Sequence, residues 1–137
     1  MNDWKNALHG LLLGQYSKDR KIVRDVFRRS GWILQEPRDR DEALAWARQG
    51  RVDVVISESS GWQELLDDLR QLPDAPQLIV TSRTADDHLW AAVLNHGGFD
   101  VLPEPFDAEE LQRVVAAAGR HAVSNPLVMT AGSMPAA

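Results

Sequence analysis

The order of segments between Gln77 and Leu111 restricts the fold more than any other feature of the sequence. A short apolar run and two hydroxylated residues precede a segment with helical spacing. Two neighbouring glycines end that segment, and a second short apolar run leads into the sequence Pro-Glu-Pro-Phe at 103–106. Asp107, with Glu110 three residues later, has the spacing of a helix N-terminal capping box. The stretch therefore predicts strand, helix, strand and helix in succession.

The same alternation runs through the rest of the chain. Short apolar or β-branched runs predict strands, and amphipathic segments closed by glycine or proline predict helices between them. Strands are expected at 11–13, 32–34, 52–57, 77–81 and about 100–102, with helices at about 17–29, 40–50, 65–72, 85–95 and 107–120. Strands separated by helices require a parallel sheet covered on both faces. We expect a three-layer, doubly wound (βα)5 flavodoxin-like α/β fold with strand order 2-1-3-4-5.

The length of the chain favours one domain. Residues 1–8 are expected to be a lead-in and residues 9–120 the folded domain. Beyond Arg120 the sequence changes to small residues and two prolines with no helical period. Residues 121–137 are therefore predicted to form a flexible C-terminal tail.

Composition excludes several classes of protein. The chain has no cysteine, which excludes disulfides, thiol nucleophiles and cysteine metal sites. No apolar run approaches the roughly 20 residues that cross a membrane, and the first residues do not form a signal peptide. The net charge of −5 argues weakly against a general nucleic-acid binder. With neither a nucleophile elbow nor a glycine-rich phosphate loop, we expect a cytoplasmic protein that is not an enzyme and contacts neither membrane nor nucleic acid.

Several of these features together resemble the receiver domain of bacterial response regulators. They are the strand spacing, the run DVVIS at 53–57 before an acidic residue, the step Gly97-Gly98, and LPEPF at 102–106 with its helix cap. The resemblance covers roughly residues 8–120. It implies a two-component signal-transduction module and a cis peptide at Glu104-Pro105. In that family an acidic pair holds Mg²⁺, an aspartate accepts the phosphoryl group, and a hydroxyl and a lysine assist.

This chain departs from that pattern at the strand ends that should form the site. The acidic pair falls on Gly14 and Gln15, the phosphoryl acceptor on Glu58 and the lysine on Glu104, whereas Ser82 keeps the hydroxyl. Glutamate is one methylene longer than aspartate, and Glu104 reverses the charge of the lysine. We therefore expect a degenerate receiver, or pseudo-receiver, with no resident metal or cofactor, weak or lost Mg²⁺ binding, and no phosphorylation by the usual route.

Other interpretations stay open from the sequence. The domain is a conventional phosphoacceptor that uses Glu58 or a nearby acid such as Asp53, or it is a small-anion sensor with Ser17 and Ser82 at the same strand ends. Glu58 is also a candidate phosphomimetic, and with Glu104 a candidate pair for a divalent cation. Retained Mg²⁺ affinity would favour the phosphoacceptor, and a co-purified ligand would favour the sensor.

Trp90 and Leu94 lie one turn apart on the predicted fourth helix, away from its inward-facing residues. With Val101 they are expected to form an exposed apolar face on helix 4, strand 5 and helix 5. Exposed apolar patches often mark interaction sites. The resemblance implies that this face binds a protein partner or a second copy of the chain. Any effector is expected on a separate chain or outside this sequence.

Overall fold

The structure, a computed structural model, describes residues 7–16, 19–84 and 86–132, with side chains described up to His121. Five strands alternate with five helices. In chain order they are β1 (His9–Leu13), α1 (Asp19–Ser30), β2 (Ile33–Gln35), α2 (Arg40–Gln49), β3 (Val54–Glu58), α3 (Trp62–Leu69), β4 (Gln77–Ser82), α4 (Asp87–His96), β5 (Asp100–Pro103) and α5 (Ala108–Gly132).

The strands form one parallel sheet in the order β2-β1-β3-β4-β5, as predicted. β3 is central, and its apolar run from Val54 to Ile56 is fully buried because helices cover both faces of the sheet. Leu12 pairs with Ile56, which pairs with Ile79, so the three inner strands are in direct register. Parallel register places the carboxyl ends of these strands together at one edge.

Alternating side chains give the sheet two separate cores. Leu12 and Ile56 pack against α1 and α5 on one face. Leu11 and Val55 pack against α2, α3 and α4 on the other. Each such side chain contributes about 1.5–3 kcal/mol when it is fully buried. The sheet therefore supports the loops at its edge from both sides.

Aspartates begin three of the helices. The side chains of Asp39, Asp86 and Asp107 each accept a hydrogen bond of 2.9 Å from a backbone N–H in the first turn of α2, α4 and α5. Gly97 ends α4 with a φ of 107°, and an added Cβ would lie 2.7 Å from Arg70 Nη1. A larger residue there would meet both backbone strain and a steric clash.

Two helix ends differ from the predicted ones. α3 ends at Leu69 and a turn replaces its predicted last residues. α5 continues as backbone helix past Arg120 to Gly132, where a flexible tail was predicted. Alanine is a strong helix former, so loss of the apolar period does not by itself end a helix. Residues 1–6 of the lead-in, the predicted helix starts Ser17 and Ala85, and residues 133–137 lie outside the described residues.

Within the part of the chain that the structure describes, none of the helices is both long and apolar enough to span a membrane.

The Asp107 cap provides a test of how α5 is held. Asp107→Ala removes the acceptor for the Glu110 N–H. We expect a loss of about 1 kcal/mol in the free energy of unfolding, measured by urea denaturation. Asp74→Ala, at an exposed position before β4, is the matched control and should change it by less than about 0.5 kcal/mol. Equal losses in the two variants would contradict the capping role.

Candidate functional site

The carboxyl ends of β1, β3, β4 and β5 converge at one edge of the sheet. Glu58, the last residue of β3, pairs with Thr81 of β4, and Ser82 pairs with Pro103 of β5. Gly14 directly follows β1. The predicted site residues are therefore brought to a common edge, but not all of their side chains form hydrogen bonds across it.

Glu58 bends toward the end of β1. Its Oε2 accepts a hydrogen bond of 3.0 Å from the Gln15 N–H. Gly14 has a φ of 145°, and an added Cβ would lie 3.0 Å from that same oxygen. Glycine at position 14 therefore leaves room for the longer glutamate side chain. An aspartate here would be strained and would also repel Glu58.

Glu104 is tied to β4 and β1 through two hydroxyl groups. Thr81 Oγ1 donates to Glu104 Oε2 at 2.9 Å, and the Tyr16 hydroxyl lies 2.5 Å from Thr81 Oγ1. A threonine hydroxyl has a single proton. Because Thr81 donates its only hydroxyl proton to Glu104, the Tyr16 hydroxyl must donate to Thr81 Oγ1. The result is a directed chain from Tyr16 through Thr81 to Glu104.

The hydroxyl predicted at this site was Ser82, but its side chain makes its hydrogen bonds to Thr84 rather than to Glu104. Ser82 Oγ accepts from the Thr84 N–H at 3.1 Å, and contacts the Thr84 hydroxyl at 3.3 Å. Adjacent residues of a strand point to opposite faces of the sheet. Thr81, fully buried, therefore faces Glu104 where Ser82 was expected. The pairing of Glu58 with Thr81 in the register places this hydroxyl at the site.

Tyr16 was not predicted at the site. It is 4% exposed, and its ring packs against Phe106 at 5.8 Å between centroids. Burial raises the pKa of the Tyr16 hydroxyl far above its usual range. The hydrogen bond with Thr81 opposes this rise in pKa, the charges of Glu104 and Glu58 add to it, and Arg20 partly opposes it. The signal available in the sequence was an aromatic residue with a hydroxyl directly after the predicted site residues.

Arg20 holds the segment that carries Gly14 and Tyr16. It donates to the Gly14 carbonyl at 2.7 Å and to the Tyr16 carbonyl at 3.2 Å, and it pairs with Glu36. Arg24 also binds Glu36, at 2.7 and 2.9 Å. The hydrogen bond from Arg24 is the main cause that lowers the pKa of Glu36. The guanidinium of Arg20 thus fixes the end of β1 next to the two site carboxylates.

Metal binding at this edge of the sheet would depend on its carboxylates. The residues that the structure describes contain no cluster of three or more His, Cys, Asp or Glu side chains able to hold a metal ion. Hard cations such as Mg²⁺ prefer several oxygen ligands, including one or two carboxylates. Arg83 pairs with Glu104 only loosely, since its Nε lies 4.0 Å from Oε1 and its side chain is 81% exposed.

Asp53, the other candidate acceptor, lies at the opposite end of the sheet. It is buried, accepts from the His9 N–H at 2.9 Å and pairs with Arg51 at 3.1 Å. These contacts give Asp53 a structural role at the start of β3. The Glu104–Pro105 peptide is cis, as the resemblance implied.

The predicted apolar face is present in part. Trp90 is 50% exposed, the one large apolar side chain with that exposure among the described residues, and Leu94 is half-buried beside it. Val101 was expected on this face but is only 9% exposed, since it packs with Val80 and Val93 beneath α4. The exposed part of the face is therefore centred on Trp90.

Comparison with known proteins supports the fold alone. No family model matches the chain, and no curated protein matches it. Similar solved structures include the signal receiver domain of an HD domain-containing protein from Pseudomonas fluorescens Pf-5 (24% identity, 88% of this chain and 93% of that one, TM-score 0.75). Another is the chemotaxis response regulator CheY4 of Vibrio cholerae (19%, 82% and 98%, 0.70). A third is the co-crystal of the Saccharomyces cerevisiae phosphotransfer protein Ypd1 with the receiver domain of Ssk1 (12%, 84% and 90%, 0.71).

The single tyrosine of the chain makes its environment measurable. Tyrosinate absorbance should be absent from the folded protein at pH about 10, where a free tyrosine is half ionised. Because the folded pKa is raised, the stabilisation from neutral Tyr16 is complete below pH about 10 and falls as pH rises toward the folded pKa. The check is a spectrophotometric titration, with the protein in concentrated guanidinium as control. Ionisation of the folded protein at the free-tyrosine pH would contradict the buried donor chain.

Proposed function

We propose that this chain is a receiver-type regulatory module of two-component signalling that acts by binding protein and is not phosphorylated through the aspartate and Mg²⁺ route. The hydrogen bond from Thr81 to Glu104 carries the proposal. It joins the hydroxyl at the end of β4 to a carboxylate in the loop after β5, where the family pattern has a lysine. A cytoplasmic location, without direct contact to nucleic acid or membrane, is part of the proposal.

The electrostatics of the edge oppose a phosphoryl group. Glu58 and Glu104 both present carboxylates, and like charges in a partly buried site repel strongly. The Thr81 proton is committed to Glu104, so the hydroxyl cannot donate to a phosphoryl oxygen while that bond persists. Gly14 and Gln15 add no carboxylate for Mg²⁺. Weak or lost Mg²⁺ binding follows from these contacts.

Protein binding is supported by Trp90. Half-exposed Trp90 lies beside half-buried Leu94. Tryptophan is one of the side chains that contribute most of the binding energy at protein interfaces. The receiver domain of Ssk1, which has this fold, was crystallised with a protein partner. We therefore place the partner, or a second copy of this chain, on the surface formed by Trp90 and Leu94 of α4.

Beryllofluoride, a mimic of an aspartyl phosphate, tests the loss of phosphorylation. With Mg²⁺ it should leave the amide NMR spectrum of the protein unchanged, because positions 15, 58 and 104 hold glutamine and glutamates rather than the aspartates and lysine of the family pattern. The triple variant Gln15→Asp, Glu58→Asp and Glu104→Lys restores an acidic residue, an acceptor and a cation at these positions. It should give shifts at Tyr16, Trp62 and Thr81.

Shifts in the unaltered protein at Glu58 and Thr81 that depend on both Mg²⁺ and beryllofluoride would overturn the proposal in favour of a conventional phosphoacceptor.

Trp90→Glu tests the protein-binding surface. The change places a charge on an exposed apolar position, so the free energy of unfolding should shift by less than about 0.5 kcal/mol. Self-association, measured by sedimentation, or binding to a partner identified by cross-linking should weaken at least about tenfold, since interface tryptophans often contribute more than 1.4 kcal/mol. Gln71→Glu, exposed after α3, makes the same addition of charge as a control. Equal binding by both variants would place the interface elsewhere.

A further inference from the structure

The same edge of the sheet carries a cleft that shares Gly14, Gln15 and Glu58 with the strand-end site. It has a volume of about 420 Å³ and lies between the ends of β1 and β3, bounded by the start of α2 and the start of α3. The chain leaves β1 toward α1 on one face of the sheet and leaves β3 toward α3 on the other. In open parallel sheets this divergence opens a crevice, and small ligands bind there.

Two arginines form the rim of the cleft. Arg38 pairs with Glu42 at 3.4 Å and Arg40 pairs with Glu64 at 3.4 Å, in both cases with an exposed arginine. Exposed ion pairs of this length contribute little to stability. Both guanidiniums can therefore exchange these partners for a ligand at small cost. Arginine suits phosphate because its planar donors bind two oxygens at once.

The inner wall of the cleft has the opposite charge. Glu58 lines it together with Gln15 and Ser60. Among the described residues, the Gln15 N–H donates to this carboxylate, and a carboxylate has about four acceptor positions. A ligand that reaches this wall must bring N–H donors rather than a second anionic group. Inorganic phosphate can contact the two arginines of the rim but brings no N–H donor to Glu58.

We infer that the cleft binds a small organic phosphate that carries adjacent N–H donors at its other end, the chemistry of a guanine mononucleotide. The phosphate contacts Arg38 and Arg40. The neighbouring N1–H and N2–H donors of the base face the Glu58 carboxylate. The cleft volume lies within the range of about 300–1,000 Å³ that is usual for small-molecule sites. This binding shares Glu58 with the strand-end site but needs neither a metal ion nor a phosphorylated side chain, so it goes beyond the proposed function.

The chemistry of the base sets an order of affinities. Guanosine monophosphate offers two donors to Glu58, inosine monophosphate one, and adenosine monophosphate a donor next to an acceptor that the carboxylate repels. A carboxylate site should discriminate by about tenfold when a matched donor is replaced by an acceptor, since the hydrogen bond is lost and the carboxylate repels the acceptor.

The test is a titration of the whole protein with each mononucleotide and with inorganic phosphate, in EDTA, followed by amide NMR and calorimetry. We expect guanosine monophosphate to shift Gln15, Glu58, Ser60 and Gly61, and to bind at least about tenfold more tightly than adenosine monophosphate or phosphate. The double variant Arg38→Ala and Arg40→Ala should weaken this binding at least about tenfold. Glu58→Gln should abolish the preference for guanine over adenine.

Arg48→Ala removes the same charge from the far end of α2 and is the matched control. No binding of guanosine monophosphate at millimolar concentration would overturn the inference. So would equal affinity for adenine and guanine nucleotides, equal losses in the Arg48 control and the double variant, or binding that requires Mg²⁺. Binding that requires Mg²⁺ would count against both proposals, whereas the other outcomes leave the beryllofluoride result unaffected, so the two proposals can fail separately.

Discussion

The directed hydrogen bonds from Tyr16 through Thr81 to Glu104 are the interaction on which the site depends. They join the segment after β1, the end of β4 and the loop after β5 through two buried hydroxyls and a partly buried carboxylate. Each hydroxyl supplies one proton, so the chain has one direction, from Tyr16 to the Glu104 carboxylate. Replacing Glu104 by a cation would leave Thr81 and Tyr16 to find other acceptors in a buried site, which costs about 1–3 kcal/mol.

Charge at this edge is divided between an acidic interior and a basic boundary. Glu58 and Glu104 lie toward the strand ends, Arg20 fixes the backbone beside them, and Arg38 and Arg40 stand at the rim of the cleft. An anion that approaches from solvent meets the arginines before the carboxylates. The same arrangement therefore disfavours a phosphoryl group deep at the edge and favours a phosphate that stays at the rim.

Local patterns predicted the fold because the sequence signals of each helix and strand lie within a few neighbouring residues. The continuous apolar run of β3 indicated a central strand, and Asp107 indicated the start of α5, as the structure confirms. The site needed information of a different kind. Choosing Thr81 over Ser82 depends on which face of the sheet each side chain of β4 occupies. An error of one residue in the position of the strand assigns each side chain to the opposite face. Tyr16 and the burial of Val101 depend on contacts between distant segments, which periodicity along the chain does not report.

The cleft and the Trp90 surface lie on elements that touch one another. Trp62 begins α3 next to Gly61 of the cleft, and its ring packs against His96 at the end of α4, at 5.5 Å between centroids. The Arg70 guanidinium, just after α3, donates to the His96 carbonyl at 2.7 Å. α3 is thus held to α4 by its first residue and by the residue after its last. A ligand in the cleft alters partner binding at Trp90 only if it binds one arrangement of these two helices more tightly than another, because contact alone transmits no free energy.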